Sequence, residues 1–319
     1  MNSMYKTQSG VQSGRCFETL YTIKNDLRRN RGLYLLVLPV LLFYALFCYK
    51  PMYGAIIAFK NFDPTKGIMG SDFVGFLHFN NFFQSHTFWR VLKNTIVISL
   101  NNLVFGFPAP IILALLLNEM KNMRFKKCVQ TITYLPHFIS LVVVASIVKD
   151  FTAEDGVIND VIAFFGGTRV DMLTKPEFFV PIYVISDIWQ EVGWGTIIYL
   201  SAFTTIDPQL YEASCLDGAG RMRQTLHVTL PGILPTIMIM LLLRIGNILN
   251  VGFEKIILLY NAVIYDTADV ISTFVYRKGL QEFGWSYGAA VGLFNSVINF
   301  MLLIVANTAS KSINGNGLW

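Results

Sequence analysis

Apolar residues are gathered into six long stretches along this 319-residue chain, with polar segments between them. A helix needs roughly 20 mainly apolar residues to cross the hydrocarbon core of a bilayer, and each stretch is close to or above that length. The pattern therefore predicts an all-α integral membrane protein with six transmembrane helices. The predicted spans are residues 33–59, 91–117, 131–148, 178–203, 233–249 and 287–306.

Composition supports the membrane assignment. The chain is 54% hydrophobic and 14% charged, whereas soluble domains carry about 25% charged residues. The net charge of +5 does not indicate nucleic-acid binding, because no basic block extends beyond a few residues. The four cysteines are too scattered for a disulfide framework or a metal site, and the four histidines show no metal-ligand spacing. We therefore expect no metal, no cofactor in this chain and no nucleic-acid partner.

The distribution of Lys and Arg sets the expected orientation, because cytoplasmic connections carry an excess of these residues. Residues 1–31 contain six of them, and the connection between the second and third spans contains four. The connection between the third and fourth spans is acidic and is therefore placed outside. We expect a multi-pass protein of the cell membrane, in contact with lipid, with both termini cytoplasmic. Its predicted parts are a cytoplasmic segment 1–31, a six-helix domain 32–310 and a cytoplasmic tail 311–319.

A polar, glycine-bearing segment, EASCLDGAGRMRQTLHVTLPG, follows the fourth span and is cytoplasmic in this orientation. Asp207-Pro208 is expected to end the preceding element, because proline disfavours helix in the residue before it, and residues 209–215 are then predicted to form a short helix. Asp217-Gly218 is typical of a turn, since glycine takes a positive φ readily. The residues after this turn predict an amphipathic helix along the membrane surface, which ends where a proline begins the fifth span. Residues 207–232 are thus predicted to form a helix-turn-helix that protrudes into the cytoplasm.

The motif E-A-S-x-x-D-G-A, followed after a spacer by V-x-L-P, resembles the EAA loop of the permeases of binding-protein-dependent ABC importers. In that family the loop is a coupling helix that sits in a groove of the ATPase subunit. Ser214 stands where the family favours a second alanine, a small-for-small change. For His227, contact with the ATPase and a solvated face are both open. The resemblance implies a type I ABC importer permease fold, with coupling residues Glu212, Ala213, Ser214, Asp217, Gly218, Ala219, Arg221, His227, Leu230 and Pro231.

Two further stretches resemble the carbohydrate-uptake permeases of the polysaccharide and oligosaccharide type, named after LplB. They are YKPMYGAIIAFKNFDPTKGIMGSDFVGFLHFNNFF at residues 49–83 and WSYGAAVGLFNSVIN at residues 285–299. This resemblance implies uptake of a sugar of the oligosaccharide class, delivered by an extracytoplasmic solute-binding protein. It also implies a second homologous permease subunit and two ATP-binding subunits. Because the chain contains no GxxxxGK[ST] run, ATP and Mg are expected on those subunits, and no enzyme activity is expected in this chain.

Polar residues inside the predicted spans are candidates for a solute cavity, because charges at mid-bilayer cost about 2.5–3.5 kcal/mol on insertion scales. Asp187 and Glu191 lie one helical turn apart and share a face of the fourth span. They could bind sugar hydroxyls, or they could form an inter-helix network with Arg244. The asparagines pose the same choice, since amides also join helices in membranes. The candidate cavity residues are Asn94, Asn101, Asp187, Trp189, Gln190, Glu191, Trp194, Asn247 and Asn295.

Other functional interpretations stay open at the level of sequence. An ion-gradient-driven secondary transporter would also use intramembrane carboxylates, although such folds usually show internal repeats and more spans. An ABC permease for a non-sugar solute would carry the same coupling motif. A membrane enzyme or sensor would need clustered catalytic residues or a soluble output domain, and we expect neither.

Overall fold

The computed structural model of the protein describes residues 29–314 and 317–318. Within these residues the protein is predominantly helical, and its strands form one small antiparallel hairpin, β1 (Lys60–Asn61) with β2 (Asp72–Phe73). The described residues fall into two units, one that ends at Ile56 and one that begins at Ile57. Most of the predicted cytoplasmic segment 1–31 lies outside the described residues.

The helices are numbered here in chain order, and the helical pieces that make up each of the segments Arg31–Phe59, His86–Glu119, Met123–Phe138 and Arg221–Gly246 share one number. Short helical turns occur at Gly67–Gly70, Met172–Thr174, Ala262–Ile264, Tyr265–Ala268 and Tyr276–Gln281. The principal helices are α1 (Arg31–Phe59), α2 (Leu77–Gln84), α3 (His86–Glu119), α4 (Met123–Phe138), α5 (Leu141–Thr152), α6 (Val157–Phe164), α7 (Pro176–Phe203), α8 (Pro208–Leu216), α9 (Arg221–Gly246), α10 (Phe253–Leu259), α11 (Ile271–Val275) and α12 (Trp285–Asn314).

Four helices in the described part of the chain are long and apolar enough to cross a membrane: α1, α3, α9 and α12. The segment from α4 to α6 meets the same criteria as one unit, but it is bent by 102°. With 28 residues, α7 is about 42 Å long, and its carboxylates Asp187 and Glu191 make it less apolar than the other four. The structure is predominantly helical, with helices long and apolar enough for a membrane protein as predicted, and the count of six spans stays a prediction.

The third predicted span, residues 131–148, is broken in the structure. α4 ends in a 3-10 turn at Leu135–Phe138, and α5 starts after Ser140, whose Oγ accepts a hydrogen bond from Val143 N at 3.5 Å. Pro136 lies in that turn and lacks the N–H group that a continuous helix would use. Residues 131–148 are therefore not one unbroken helix. The apolar run was identified by length and hydropathy, which take no account of Pro136 within it.

α7 is the central helix of the second unit and packs against α3, α4 and α9. Two glycines allow this close packing, as small residues do at helix crossings in membranes. A Cβ atom added at Gly195 would lie 2.9 Å from Pro110 Cγ of α3, and one added at Gly193 would overlap the backbone carbonyl of Thr133 in α4. The polar face of α7 is therefore held firmly among its neighbours.

Candidate functional site

A cavity of about 610 Å³ lies between α3, α7, α9 and the segment that follows α9. We call it the first cavity, and its volume falls in the range of about 300–1,000 Å³ that is usual for small-molecule sites. Its aromatic lining includes Trp194 and two tyrosines of α7. It can therefore contact both the hydroxyl groups and the apolar face of a solute. Its polar lining comes from Ser99, Asn102, Asp187, Glu191, Arg244, Asn247 and Asn250.

Asp187 is the centre of a polar network in the first cavity. Its Oδ2 accepts a hydrogen bond from Asn102 Nδ2 at 2.9 Å and lies 4.0 Å from Arg244 Nη2. Arg244 also donates to Asn102 Oδ1 at 2.9 Å. Asn102 begins a π-helical turn, Asn102–Gly106, a feature that is frequent at functional sites within α-helices. The network joins α3, α7 and α9 across the cavity.

Lys255 of α10 approaches Asp187 from another direction, and sequence reasoning missed it. Its Nζ lies 3.4 Å from Asp187 Oδ1 and 5.2 Å from the ring centroid of Tyr183. The residue is only 3% exposed. Burial lowers the pKa of the Lys255 ammonium group, and the negative charge of Asp187 opposes that effect. Lys255 lies outside the predicted spans, and the one signal in the sequence is its position directly before the apolar run at residues 256–259.

A second cavity of about 550 Å³ lies beside the first and is lined by residues of α4, α5, α7 and α10. At its edge, His137 Nδ1 lies 2.9 Å from Glu191 Oε2. The His137 ring also stacks on Trp194, with centroids 4.4 Å apart and planes within 5° of parallel. His137 belongs to the 3-10 turn that breaks the third predicted span. That break therefore brings an imidazole to the polar face of α7, which the sequence did not indicate.

The structure brings five of the nine predicted cavity residues to these two cavities. Asp187 and Glu191 line both of them. Trp194 and Asn247 line the first cavity, and Gln190 lines the second. Asp187 lines the cavities and also lies 4.0 Å from Arg244, so the inter-helix contact is present, and a role in binding sugar hydroxyls stays a prediction.

The other four predicted cavity residues lie outside both cavities. Asn94 is buried, and its Nδ2 donates to the backbone carbonyl of Asp269 at 3.0 Å. Asn101 bonds a carbonyl of its own helix, Asn295 donates to a neighbouring asparagine, and Trp189 is 43% exposed on another face of α7. Helical spacing shows which residues share a face, but it does not show what that face packs against. The structure therefore does not place these four side chains at the cavities.

The predicted coupling segment, residues 207–232, turns at Gly218. Gly218 has a φ of 75°, in the left-handed region that glycine tolerates best. Its N–H donates to Cys215 O at 3.0 Å, and Ala219 N donates to Ser214 O at 2.9 Å. These two bonds form a Schellman ending of α8. The Asp-Gly turn predicted from the sequence is confirmed.

The arm after this turn differs from the prediction. α9 runs from Arg221 to Gly246 and combines the predicted surface helix and the fifth span in one element. A π-helical turn at Thr225–Thr229 precedes Pro231, which is accommodated without ending the helix. The prediction of a separate surface helix was therefore wrong. As a consequence, the coupling segment continues directly into a helix that lines the first cavity.

Side-chain contacts hold α8 against the start of α9. Gln224 Nε2 donates to Ser214 Oγ at 3.1 Å, and Tyr211 OH lies 3.0 Å from Thr229 Oγ1. Ser214, which departs from the family's alanine, thus makes a hydrogen bond that alanine could not make. The two arms of the helix-turn-helix are therefore packed against each other.

The tip of the coupling segment exposes apolar side chains. Leu216 is 89% exposed and Met222 is 72% exposed. Arg221 lies 3.9 Å from Glu119 at the end of α3. Of the predicted coupling residues, Ser214, Ala219 and Leu230 are half-buried. The exposed ones are Glu212, Ala213, Asp217, Gly218, Arg221, His227 and Pro231.

Comparison with known proteins decides the family. Residues 106–311 match the family described as binding-protein-dependent transport system inner membrane component. The chain belongs to this family. It is a membrane permease component of a binding-protein-dependent ABC transport system, as the EAA-like motif predicted. The matched range contains the coupling segment and most of the lining of both cavities.

Similar proteins cover almost the whole permease. It is 46% identical to the polygalacturonan/rhamnogalacturonan transport system permease protein YteP of Bacillus subtilis, over 91% of each chain. It is 45% identical to Protein LplB of the same organism, over 92% of each chain. A crystal structure of a bacterial alginate ABC transporter, in complex with alginate pentasaccharide-bound periplasmic protein, contains a chain with 45% identity and a TM-score of 0.85. That match covers 92% of this permease and 99% of the other chain.

Proposed function

We propose that this permease takes up an oligosaccharide into the cell, driven by ATP hydrolysis on partner subunits. The observation that carries the proposal is the exposed coupling segment, residues 207–232. Its second arm is the first part of α9, and the same helix lines the first cavity further along. A movement at the tip is thereby connected to the cavity wall. The saccharide class is supported by the names of the relatives, which refer to polygalacturonan, rhamnogalacturonan and alginate.

The proposed assembly contains more than this chain. A second homologous permease completes the solute path, and an extracytoplasmic solute-binding protein delivers the sugar. Two ATP-binding subunits hold ATP and Mg on the cytoplasmic side, and the coupling segment binds them. The proposal also includes six membrane spans in a domain of residues 32–310, with segments 1–31 and 311–319 both in the cytoplasm of the cell-membrane protein. Lys121, which follows α3, and Arg124, Lys126 and Lys127 at the start of α4 support this orientation.

The proposed mechanism follows from the cost of moving polar groups into hydrocarbon. A sugar hydroxyl that loses water without gaining another hydrogen bond costs several kcal/mol, so the path must supply partners. Asp187, Glu191 and Asn102 offer carboxylate and amide groups to hydroxyls, and Trp194 offers an aromatic face to the sugar ring. Closure of the ATPase subunits would move α8 and the start of α9 as one body. The cavity would then open toward one side of the membrane at a time.

Changes at the coupling segment test this proposal. We expect Glu212→Ala to reduce the amount of ATPase subunit that co-purifies with the permease at least about tenfold, which corresponds to about 1.4 kcal/mol of binding free energy. Gly218→Ala is expected to destabilise the native conformation of the turn by about 1–2 kcal/mol, because alanine is strained at the positive φ of this position. The measurement is the ratio of ATPase to permease after affinity purification of the full complex.

Gly220→Ala is the matched control for Gly218→Ala. A Cβ added at either glycine meets no atom within 4 Å, but Gly220 has a φ of −71°, which suits alanine. Glu282→Ala controls for the loss of an exposed carboxylate, because Glu282 pairs with Lys278 outside the coupling segment. If Glu212→Ala leaves both co-purification and ATP-driven uptake intact, the coupling role of this segment is wrong.

A further inference from the structure

The two cavities are separated by a thin wall. They share four lining residues, Tyr183, Asp187, Glu191 and Gly252, so the same side chains face both spaces. Across this wall, Gly252 N donates a hydrogen bond to Tyr183 OH at 3.1 Å. The wall therefore consists of a few contacts between α7 and the residues around the start of α10.

The two carboxylate oxygens of Asp187 contact residues of different cavities. Oδ2 contacts Asn102 and Arg244, which line the first cavity and not the second. Oδ1 contacts Lys255, which lines the second cavity and not the first. The ion pair between Asp187 and Lys255 thus lies at the boundary between the two spaces.

The Lys255 ammonium group and the Asp187 carboxylate are expected to separate only when other polar groups take the place of their contact. Lys255 is almost fully buried, and separating a buried charge from its partner is strongly unfavourable. Asp187 is its one acidic partner among the described ion pairs. A solute rich in hydroxyl groups can accept a hydrogen bond from the ammonium group and donate one to the carboxylate. An apolar solute can do neither, and the pair would stay closed against it.

We propose that the Asp187–Lys255 ion pair, together with the Tyr183–Gly252 contact, is a partition between two chambers of one solute path. The partition opens when solute hydroxyls take the place of the contact between the two charged side chains. This inference rests on the proposed function, because it assigns the two cavities to the path of the transported sugar. It makes Lys255 a selectivity residue, although it lies outside every predicted span.

Thiol labelling in the assembled transporter tests the partition without measuring transport. The background carries serine at the four cysteine positions, and single cysteines replace either Glu254 in the second cavity or Met240 in the first. Glu254 is exposed and lies on the outer side in the proposed orientation. A membrane-impermeant maleimide added from outside is expected to label position 254 at least about ten times faster than position 240.

Two variants should open the partition by different routes. Lys255→Met removes the charge that holds Asp187, and Gly252→Ala places a Cβ atom 2.8 Å from Tyr183 OH, which must then move. We expect each to raise the labelling rate at position 240 about tenfold or more. Lys278→Met is the matched control. Lys278 is also an ion-paired lysine, but its pair with Glu282 is exposed and lies between α11 and α12. The labelling rate at position 240 should not change in this variant.

The outcomes separate this inference from the proposed function. Equal labelling at positions 240 and 254 in the parent protein would overturn the partition, and so would an unchanged rate at position 240 in both wall variants that still assemble. Slow labelling at 240 that rises in either variant supports it. Failure of the proposed function would appear separately, as a parent complex that hydrolyses ATP but accumulates no saccharide.

Discussion

An Asp269→Asn substitution is expected to destabilise the folded permease by about 3–5 kcal/mol, the usual cost of removing one partner from a buried ion pair. Asp269 is 0% exposed. Its Oδ2 accepts hydrogen bonds from Arg277 Nη2 at 2.6 Å and from Arg90 Nη2 at 3.3 Å, and its Oδ1 accepts one from Thr273 Oγ1 at 2.9 Å. Asparagine keeps the shape of the side chain but leaves two arginines without their shared counter-charge.

The neighbouring Asp266→Asn substitution is the control. Asp266 contacts the same Arg90 at 3.6 Å, but its side chain is 81% exposed. An exposed ion pair contributes about 0–1 kcal/mol, so this variant should unfold almost like the parent. Denaturant unfolding of the purified protein in detergent, followed by tryptophan fluorescence, measures both free energies. Equal losses in the two variants would contradict a structural role for the buried carboxylate.

A Gly193→Ala substitution is expected to push α7 away from α4. It should lower the free energy of unfolding by about 1–3 kcal/mol, the usual range for overpacking. The added Cβ would overlap the backbone carbonyl of Thr133, and a backbone group cannot rotate away as a side chain can. The contact between His137 and Glu191 lies close to this crossing. We therefore expect loss of saccharide uptake together with a lower yield of monodisperse protein.

Gly292→Ala in α12 serves as the matched control for this change. It is also a glycine within a long apolar helix, but a Cβ added there meets no atom within 4 Å. Alanine favours helix over glycine by up to about 1 kcal/mol, so this variant should be as stable as the parent or slightly more stable. Thermal unfolding in detergent checks both variants, and a Gly193→Ala protein as stable as Gly292→Ala would show that the helices can separate at little cost.

Features set by local chemistry were predictable from the sequence. The turn at Gly218 was found because an Asp-Gly pair after a helical stretch favours a left-handed glycine, and the structure shows that conformation. The apolar stretches identified the four long apolar helices α1, α3, α9 and α12, because length and hydropathy are properties of a single segment. Asp187 and Glu191 were found as cavity candidates because carboxylates inside a predicted span are costly and rare.

Features that depend on contacts between distant segments were not predictable in this way. Lys255 becomes notable only because α10 brings it to Asp187, 68 positions away in the chain. His137 reaches Glu191 only because the helix breaks near Pro136. Asn94 was a cavity candidate because it is a polar residue in a predicted span, yet its Nδ2 donates to the backbone carbonyl of Asp269.

Uptake by the reconstituted complex tests the central claim most directly. Liposomes would contain this permease, its partner permease and the ATPase subunits, with solute-binding protein outside and labelled oligogalacturonide or a neutral maltooligosaccharide as the solute. We predict that at least one saccharide accumulates inside only when ATP is available to the ATPase and binding protein is present. A protonophore should leave that accumulation unchanged. Accumulation that persists without ATP and disappears when the ion gradient is collapsed would contradict the account and identify a secondary transporter.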